Sequence, residues 1–155
     1  MPRIVHAETS DEIGLVRQLF REYESWLGLD LCFQGFEEEL ANLPGKYAEP
    51  GGRLLLCYTG ERLAGCAALR PLGPGICEMK RLFVRDELRG QSLGNLLVEY
   101  LIAEAQLIGY QKMRLDTLPL KMPKAVVLYQ RHGFRWIPPY YANPHSDVTF
   151  MEKDL

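Results

Sequence analysis

The segment from Cys77 to Gly94 holds the residues whose types and spacing are most informative about chemistry. Its first part, C-E-M-K-R-L-F-V, is typical of a strand, and R-G-Q-S-L-G then opens a long helix. The first amides of a helix lack internal acceptors, and the helix dipole adds partial positive charge there. Gly90 and Gly94 let the backbone approach an anion closely. The pattern therefore predicts a phosphate or diphosphate site, to which Arg85 and Arg89 could add charge.

The glycines of this segment also have a purely structural interpretation. Gly90 and Gly94 could serve only as turn and packing glycines. The loop is not a P-loop, because it has no G-K-[ST] ending, and it is not G-x-G-x-x-G. A strand, a glycine loop and a helix are by themselves a weak signal for phosphate binding.

Two stretches together resemble a known family. The strand E-M-K-R-L-F-V, the loop R-D-E-L and the helix start R-G-Q-S-L-G resemble the acetyl-CoA motif of the GNAT N-acetyltransferase superfamily. The later stretch L-Y-Q-R-H-G-F, which contains Tyr129, resembles that family's second signature. Both lie in the expected order, and the predicted elements match the family over nearly the whole chain.

The resemblance implies an N-acetyltransferase that moves acetyl from acetyl-CoA, its cosubstrate, to a primary amine of a small molecule or a peptide. Attack would be direct, within a ternary complex, and no metal is implied. The backbone of the strand end would pair with the pantetheine arm, although ordinary ladder hydrogen bonds are the alternative. The cofactor-binding residues that the resemblance implies are Leu82, Phe83, Val84, Arg89, Gly90, Gln91, Ser92, Leu93, Gly94, Asn95 and Tyr129.

The sequence departs from the family pattern at two positions. Ser92 stands where the first motif glycine is expected. Serine keeps the backbone N–H and can act as a helix N-cap, but its side chain could crowd a phosphate. Met122 stands where many relatives have an asparagine that contacts the cofactor arm, so that contact is not carried over.

Two residues are candidates for proton transfer, both by resemblance. Glu78 matches a glutamate that accepts the amine proton in several relatives, usually through water. The alternative is an ion pair with Lys80 or Arg81. Without a bulge, Glu78 and Lys80 would share a strand face with Ile76, Leu82 and Val84. Tyr129 matches the tyrosine that faces the thioester and protonates the sulfur, and its alternative is an ordinary core aromatic.

The acceptor site is expected between the first two helices and the last loop. The main candidates are Trp26, Phe33, Tyr140 and Tyr141. Further aromatic, apolar or polar candidates are Tyr23, Leu27, Phe36 and Asn143. Aromatic residues with a few polar groups suit a small amine, although helical aromatics can equally be core. Arg70 and Lys121 could bind a substrate carboxylate.

The elements that must position these residues follow from hydrophobic periodicity. The predicted order is β, α, α, β, β, β, α, β, α, β, β, which favours an α/β (α+β) three-layer domain with a mixed central sheet. Thr9 and Glu12 are spaced as a capping box. A second helix is predicted over 33–43, a return strand over 63–69, a turn over 71–75 and a strand over 76–84.

Composition sets the broad class. The chain has 155 residues, a net charge of −2 and a pI near 5.9, which fits one domain over 1–155 and argues against general nucleic-acid binding. No apolar run is long enough to span a membrane, and the start lacks a signal-peptide plan. Cys57, Cys66 and Cys77 lie in apolar runs, which indicates reduced core thiols and a cytoplasmic protein. The resemblance also makes a homodimer one expected state.

Two rival functions remain open on the sequence alone. The first is a domain of the same fold that senses acyl-CoA without turnover, which Ser92, Met122 and an unproven Glu78 leave room for. The second is an interaction domain with no cofactor.

Overall fold

The protein is described by a computed structural model, which covers residues 1–29, 31 and 35–155. Its strands are β1 Pro2–His6, β2 Arg53–Thr59, β3 Arg62–Gly73, β4 Ile76–Val84, β5 Lys112–Thr117, β6 Arg135–Ile137 and β7 Thr149–Asp154. They form one seven-stranded sheet in the order β1-β2-β3-β4-β5-β7-β6. The β4–β5 pair is parallel, and the other neighbouring pairs are antiparallel.

Helices cover both faces of the sheet. They are α1 Ser10–Leu27, α2 Phe36–Ala41, α3 Leu93–Ile108 and α4 Pro123–Arg131, with 3-10 turns at Gly45–Tyr47 and Asp86–Leu88. Leu97 and Leu101 of α3 pack in one core together with Tyr129 of α4. Phe20 of α1 and Phe36 of α2 lie in a second core on the opposite face. The predicted three-layer architecture and the predicted order of elements are confirmed.

The first helix begins where the sequence predicts. The Glu12 N–H donates to Thr9 Oγ1 at 3.2 Å, and the Thr9 N–H donates to Glu12 Oε1 at 3.0 Å. This is a complete capping box. Gly28, with φ 70°, ends the helix in the left-handed conformation that glycine adopts without strain.

The predicted turn over 71–75 is wrong. The strand β3 continues to Gly73, and only Pro74 and Gly75 separate it from β4. Pro71 lies inside β3 because the ladder to β2 ends at the Arg53–Leu69 pair. Beyond that point β3 has no partner on this side, so the missing N–H of a proline is tolerated.

The cysteines and the second helix largely follow the sequence predictions. Cys57, Cys66 and Cys77 are buried free thiols, whereas Cys32 lies outside the described residues. The second helix is shorter than predicted, and the start predicted for it at Phe33 is also outside them. In the part of the chain that the structure describes, no helix combines the length and apolar character needed to cross a bilayer.

Candidate active site

A gap opens between the two parallel strands at the centre of the sheet. β4 pairs with β5 only from Ile76–Lys112 to Glu78–Arg114. Beyond Glu78, β4 continues to Val84 along β3, while β5 continues along β7. Among the described residues, no strand pairs with the backbone of β4 from Met79 onward on the β5 side, and a ligand could bind there as an added strand.

A bulge in β4 reverses which sheet face its later side chains occupy beside this gap. Ala68 pairs with Lys80 and Cys66 with Phe83, so Arg81 and the residue after it oppose a single residue of β3. Arg81 has φ 61°, a conformation that is unusual for a residue with a Cβ. Leu82 and Val84 consequently pack on the α3 side, whereas Phe83 packs on the α1 side.

The bulge changes which residues share a face. Glu78 and Lys80 precede it and keep the alternation expected of a strand. Leu82 and Val84 lie after it, so they face away from Glu78. The shared face that was expected without a bulge is therefore interrupted after Lys80.

Arg81 is held in place from α2. Its Nε and one terminal nitrogen donate to the two carboxylate oxygens of Glu39 at 3.0 and 2.8 Å. Its guanidinium also lies 5.2 Å from the ring centre of Phe36. Only 3% of the Arg81 side chain is exposed, so the pair is a buried clamp on the bulge.

Glu78 is buried and has a partner for each oxygen. Arg70 donates to Oε1 from two nitrogens, each at 2.7 Å, and the Tyr140 hydroxyl donates to Oε2 at 2.6 Å. Lys80 Nζ lies 4.0 Å from Oε1. The ion-pair alternative is thus present through Arg70 and Lys80, while Arg81 pairs with Glu39 instead. The base role of Glu78 stays a prediction.

Tyr129 lies on the far side of the gap, on α4. It lines a narrow slot whose other walls are Tyr23, Met79, Lys80, Arg81, Leu82, Leu115, Asp116 and Met122. Burial raises the pKa of the Tyr129 phenol well above its ordinary value, so the group stays protonated near neutral pH. Its ring packs edge-on against Phe134 at 5.8 Å between ring centres. Tyr129 is thus a core aromatic that also lines the slot, and its role as an acid toward the sulfur stays a prediction.

The loop before α3 presents free backbone amides. The first helical hydrogen bond runs from the Leu96 N–H to the Ser92 carbonyl at 3.1 Å, which leaves the amides of residues 93–95 without a helical acceptor. Gly90 has φ 86°, so the loop itself requires a glycine there. A Cβ at Gly94 would meet Leu128 at an ordinary 3.5 Å, so packing alone does not require that glycine.

Ser92 adopts a left-handed conformation with φ 59° and ψ 23°. It occupies the N-cap position of α3, but its side chain makes no capping hydrogen bond. The helix consequently begins at Leu93. The capping role considered from the sequence is wrong, and the backbone conformation is the one that a glycine would adopt most easily.

The polar side chains around this loop are held by neighbouring residues. Arg89 donates from Nε to the Val84 carbonyl at 2.9 Å and pairs with Asp86. Arg85 binds Glu22 through two hydrogen bonds of 2.9 and 2.8 Å. The hydrogen bond from Arg85 lowers the pKa of the Glu22 carboxyl.

Two further predicted cofactor residues also have side-chain partners. Gln91 accepts a weak hydrogen bond of 3.4 Å from Thr59. The Asn95 side chain donates to Glu99 at 3.1 Å and contacts His132 Nε2 at 2.7 Å. The Asn95 side chain is therefore engaged within the chain, whereas the single contact of Gln91 is weak.

Trp26 lies near the loop rather than near Glu78. Its ring is 6.2 Å from that of Phe83 and 4.6 Å from the Arg89 guanidinium, with Lys121 Nζ at 5.0 Å. These contacts associate Trp26 with the predicted cofactor region. Two other candidates of the first two helices, Leu27 and Phe36, are buried in the core. The structural interpretation, a core residue, therefore applies to both. Phe33 lies outside the described residues.

The two tyrosines of the loop before β7 converge on two carboxylates. Tyr140 binds Glu78, and the Tyr141 hydroxyl donates to Asp116 Oδ2. Asn143 donates to the Tyr141 oxygen at 2.9 Å. Burial raises the pKa of both phenols above their ordinary value, and the neighbouring carboxylates add to the rise. The structure therefore places Tyr140 against Glu78 with Tyr141 beside it, and the acceptor role of the two tyrosines stays a prediction.

Asp116 and Lys80 are slot residues that sequence reasoning did not place there. Asp116 follows the alternating pattern K-M-R-L-D-T near the end of β5. Adjacent parallel strands end at the same edge, so this polar residue could have been placed beside β4. In the described ranges, no group of three or more side chains is arranged to hold a metal ion.

Comparison with known proteins defines the class to which this site belongs. Residues 15–134 match the Acetyltransferase (GNAT) family. An uncharacterized N-acetyltransferase of Schizosaccharomyces pombe is 45% identical over 141 residues, which cover 90% of this chain and 86% of that protein. The chain therefore belongs to the GNAT acetyltransferase family.

Solved structures agree in fold. A GNAT acetyltransferase from Staphylococcus aureus superposes with a TM-score of 0.81 at 18% identity, covering 99% of each chain. A GNAT family acetyltransferase from Elizabethkingia anophelis, solved with acetyl-CoA bound, gives a TM-score of 0.58 at 24% identity over 68% of this chain and 77% of that one. The mixed sheet and its helices are thus those of a GNAT acetyltransferase.

Proposed function

We propose that this chain, as one domain over residues 1–155, transfers acetyl from acetyl-CoA to the primary amine of a small molecule or peptide. The observation that carries the proposal is the gap between β4 and β5, which opens after the Glu78–Arg114 pair. β4 runs directly into the loop that ends at the free amides of α3. The diphosphate site that we propose would therefore lie at the end of the unpaired backbone of β4.

The chain's own backbone would hold the cosubstrate. The amides of residues 93–95 would bind the diphosphate, since a helix start favours anions. The β5-facing backbone of Leu82, Phe83 and Val84 would pair with the pantetheine arm. An N–H in the same stretch would polarise the thioester carbonyl. The acetyl-CoA-bound neighbour has the same fold, which is consistent with this use of the gap.

Glu78 would accept the proton of the attacking amine. A free alkyl amine has a pKa near ~10.4, so only about one molecule in ~10³ is neutral at pH 7, a cost of roughly 4–5 kcal/mol. Removing the proton in the site avoids part of that cost. Oε2 of Glu78 faces Tyr140, so a water or amine that displaces this hydroxyl would reach the carboxylate.

Tyr129 would protonate the departing sulfur. The group lines the slot beside Leu82 and Arg81, at the bulge where the thioester is expected. Its raised pKa keeps the proton in place until a thiolate forms. Tyr140 and Tyr141 would form the acceptor side of the slot, while Trp26 would lie against the cosubstrate.

Cellular setting and assembly are part of the same proposal. We expect the protein to act in the cytoplasm, where the buried free thiols Cys57, Cys66 and Cys77 would stay reduced. The family resemblance makes a homodimer one oligomeric state to test.

A screen of primary amines for release of free CoA tests the proposed function. The panel should include amino acids, polyamines, aminoglycosides and peptide N-termini, each with and without the protein. We expect CoA release above the hydrolysis background with at least one class. Thermal stabilisation by acetyl-CoA without release for any amine would contradict catalysis and favour the sensing domain.

A further inference from the structure

Lys80 is a primary amine enclosed in the slot that the proposed reaction uses. It lies two residues after Glu78 on β4, and 8% of its side chain is exposed. Lys80 lines the same slot as Tyr129 and Asp116. The mechanism above gives it no role.

The surroundings of Lys80 favour the form that can attack an acyl group. Burial lowers the pKa of the Lys80 ammonium, and the positive charge of Arg81 lowers it further. Glu78 and Asp116 act in the opposite direction, but the net direction is downward. A larger fraction of this amine is therefore neutral near pH 7 than of an exposed lysine.

We propose that Lys80 is a self-acetylation site: in the absence of an acceptor, its Nζ takes the acetyl group of bound acetyl-CoA. This inference rests on the proposed function, because acetyl-CoA must occupy the gap. Proximity favours this reaction, because a nucleophile held at the slot needs no diffusional encounter with the thioester.

The step balances without any further reactant. The Lys80 ammonium first loses a proton to Glu78 or to water. Its nitrogen then forms a bond to the acetyl carbon and gives up a second proton to solvent, and the carbon–sulfur bond breaks. The sulfur leaves as a thiolate that takes a proton from Tyr129, which regains one from solvent. The products are acetyl-Lys80, free CoA and one proton.

Acetylation would switch off the same site. The amide carries no charge, so it removes a cation from beside Glu78, and its added bulk fills part of the slot. The modified protein would therefore lose transfer to external amines. An acceptor amine in the slot would in turn protect Lys80.

The test is incubation of the whole protein with acetyl-CoA and no amine, followed by intact mass and peptide mapping over time. Exposed Lys124 serves as the internal reference for chemical acetylation, which follows exposure. We expect acetyl-Lys80 to form faster than acetyl-Lys124, and excess CoA to suppress only the former. Tyr129→Phe should slow the Lys80 reaction at least about tenfold and leave Lys124 unchanged.

Two controls distinguish failure of this inference from failure of the proposed function. Lys124→Arg should leave acetylation of Lys80 unaffected. Calorimetry with acetyl-CoA on the same sample reports whether the cosubstrate binds. Binding with Lys80 unmodified, or modified no faster than Lys124, overturns self-acetylation and leaves the proposed function standing. Absence of binding overturns both.

Discussion

The Tyr140 hydroxyl donates a 2.6 Å hydrogen bond to Glu78 Oε2, the carboxylate oxygen that Arg70 leaves free. The bond joins the loop before β7 to the centre of the sheet. The hydroxyl proton of Tyr140 also occupies the position at Glu78 Oε2 to which an incoming amine or water would deliver its proton. Tyr140 therefore competes with the acceptor for the carboxylate that we propose as the base.

Tyr140→Phe should destabilise the fold. A buried hydrogen bond to a charged acceptor is lost, so we expect the free energy of unfolding to fall by about 1–3 kcal/mol. Denaturant unfolding monitored by circular dichroism measures the change. Tyr58→Phe is the matched control, because Tyr58 contacts Arg3 through its ring. Equal stability of the two variants would mean that the Tyr140–Glu78 bond contributes nothing.

Glu78→Gln should move the pH–rate profile toward alkaline pH. Without the carboxylate, the amine must lose its proton before it binds, so the rate follows the amine's own deprotonation at higher pH. Turnover as a function of pH, for the best amine of the screen, measures the shift. Exposed Glu61→Gln is the control. An unshifted profile would leave Glu78 as an ion-pair partner of Arg70.

The sequence predicts the bounds of β4 but not Arg70, the residue that pairs with Glu78 in the site. The bounds of β4 were predicted at Ile76 and Val84, where the structure has them. The turn before it was predicted over 71–75, which would place Arg70 opposite Ile76. The true loop has only two residues, Pro74 and Gly75, so Gly73 pairs with Ile76. The register shift between Pro71 and Gly73 then places Arg70 opposite Glu78. The register of a hairpin depends on its loop length and on bulges, and the P-L-G-P-G pattern specifies neither.

Tyr129→Phe should lower turnover at least about tenfold, the low end for a positioned acid. Because burial raises the pKa of this phenol, its protonated form persists beyond the ordinary tyrosine value of about 10, and the wild type should keep its acid through neutral pH. Acetyl-CoA affinity should not change, which calorimetry checks. Turnover equal to that of Tyr58→Phe would remove Tyr129 from the mechanism.

Ser92→Gly should stabilise the protein. The left-handed conformation costs a residue with a Cβ about 1–2 kcal/mol, and the greater freedom of glycine in the unfolded chain offsets part of that. We expect a net gain of about 0.5–1 kcal/mol in the free energy of unfolding. Ser92→Ala keeps the strain, and the serine side chain makes no capping bond, so it should give no gain. Equal effects of both substitutions would contradict the argument from strain.

Two features of the site lay beyond sequence patterns. The bulge depends on Arg81 in a conformation that arginine rarely adopts, and Glu39 from a distant helix holds it there. Tyr141 meets Asp116 only after the long loop before β7 has folded back. Such long-range contacts produce no periodic pattern in the sequence. The Thr9–Glu12 capping box is local, and the spacing of its two residues predicts it.

The central claim is that the free amides at the start of α3 bind the diphosphate of acetyl-CoA. Backbone amide NMR during a titration with acetyl-CoA tests it most directly. The account predicts large, saturable shifts for the amides of residues 93–95, with smaller ones along Leu82–Val84. Amides that stay unchanged at millimolar acetyl-CoA, or saturable shifts confined to another surface, would contradict it.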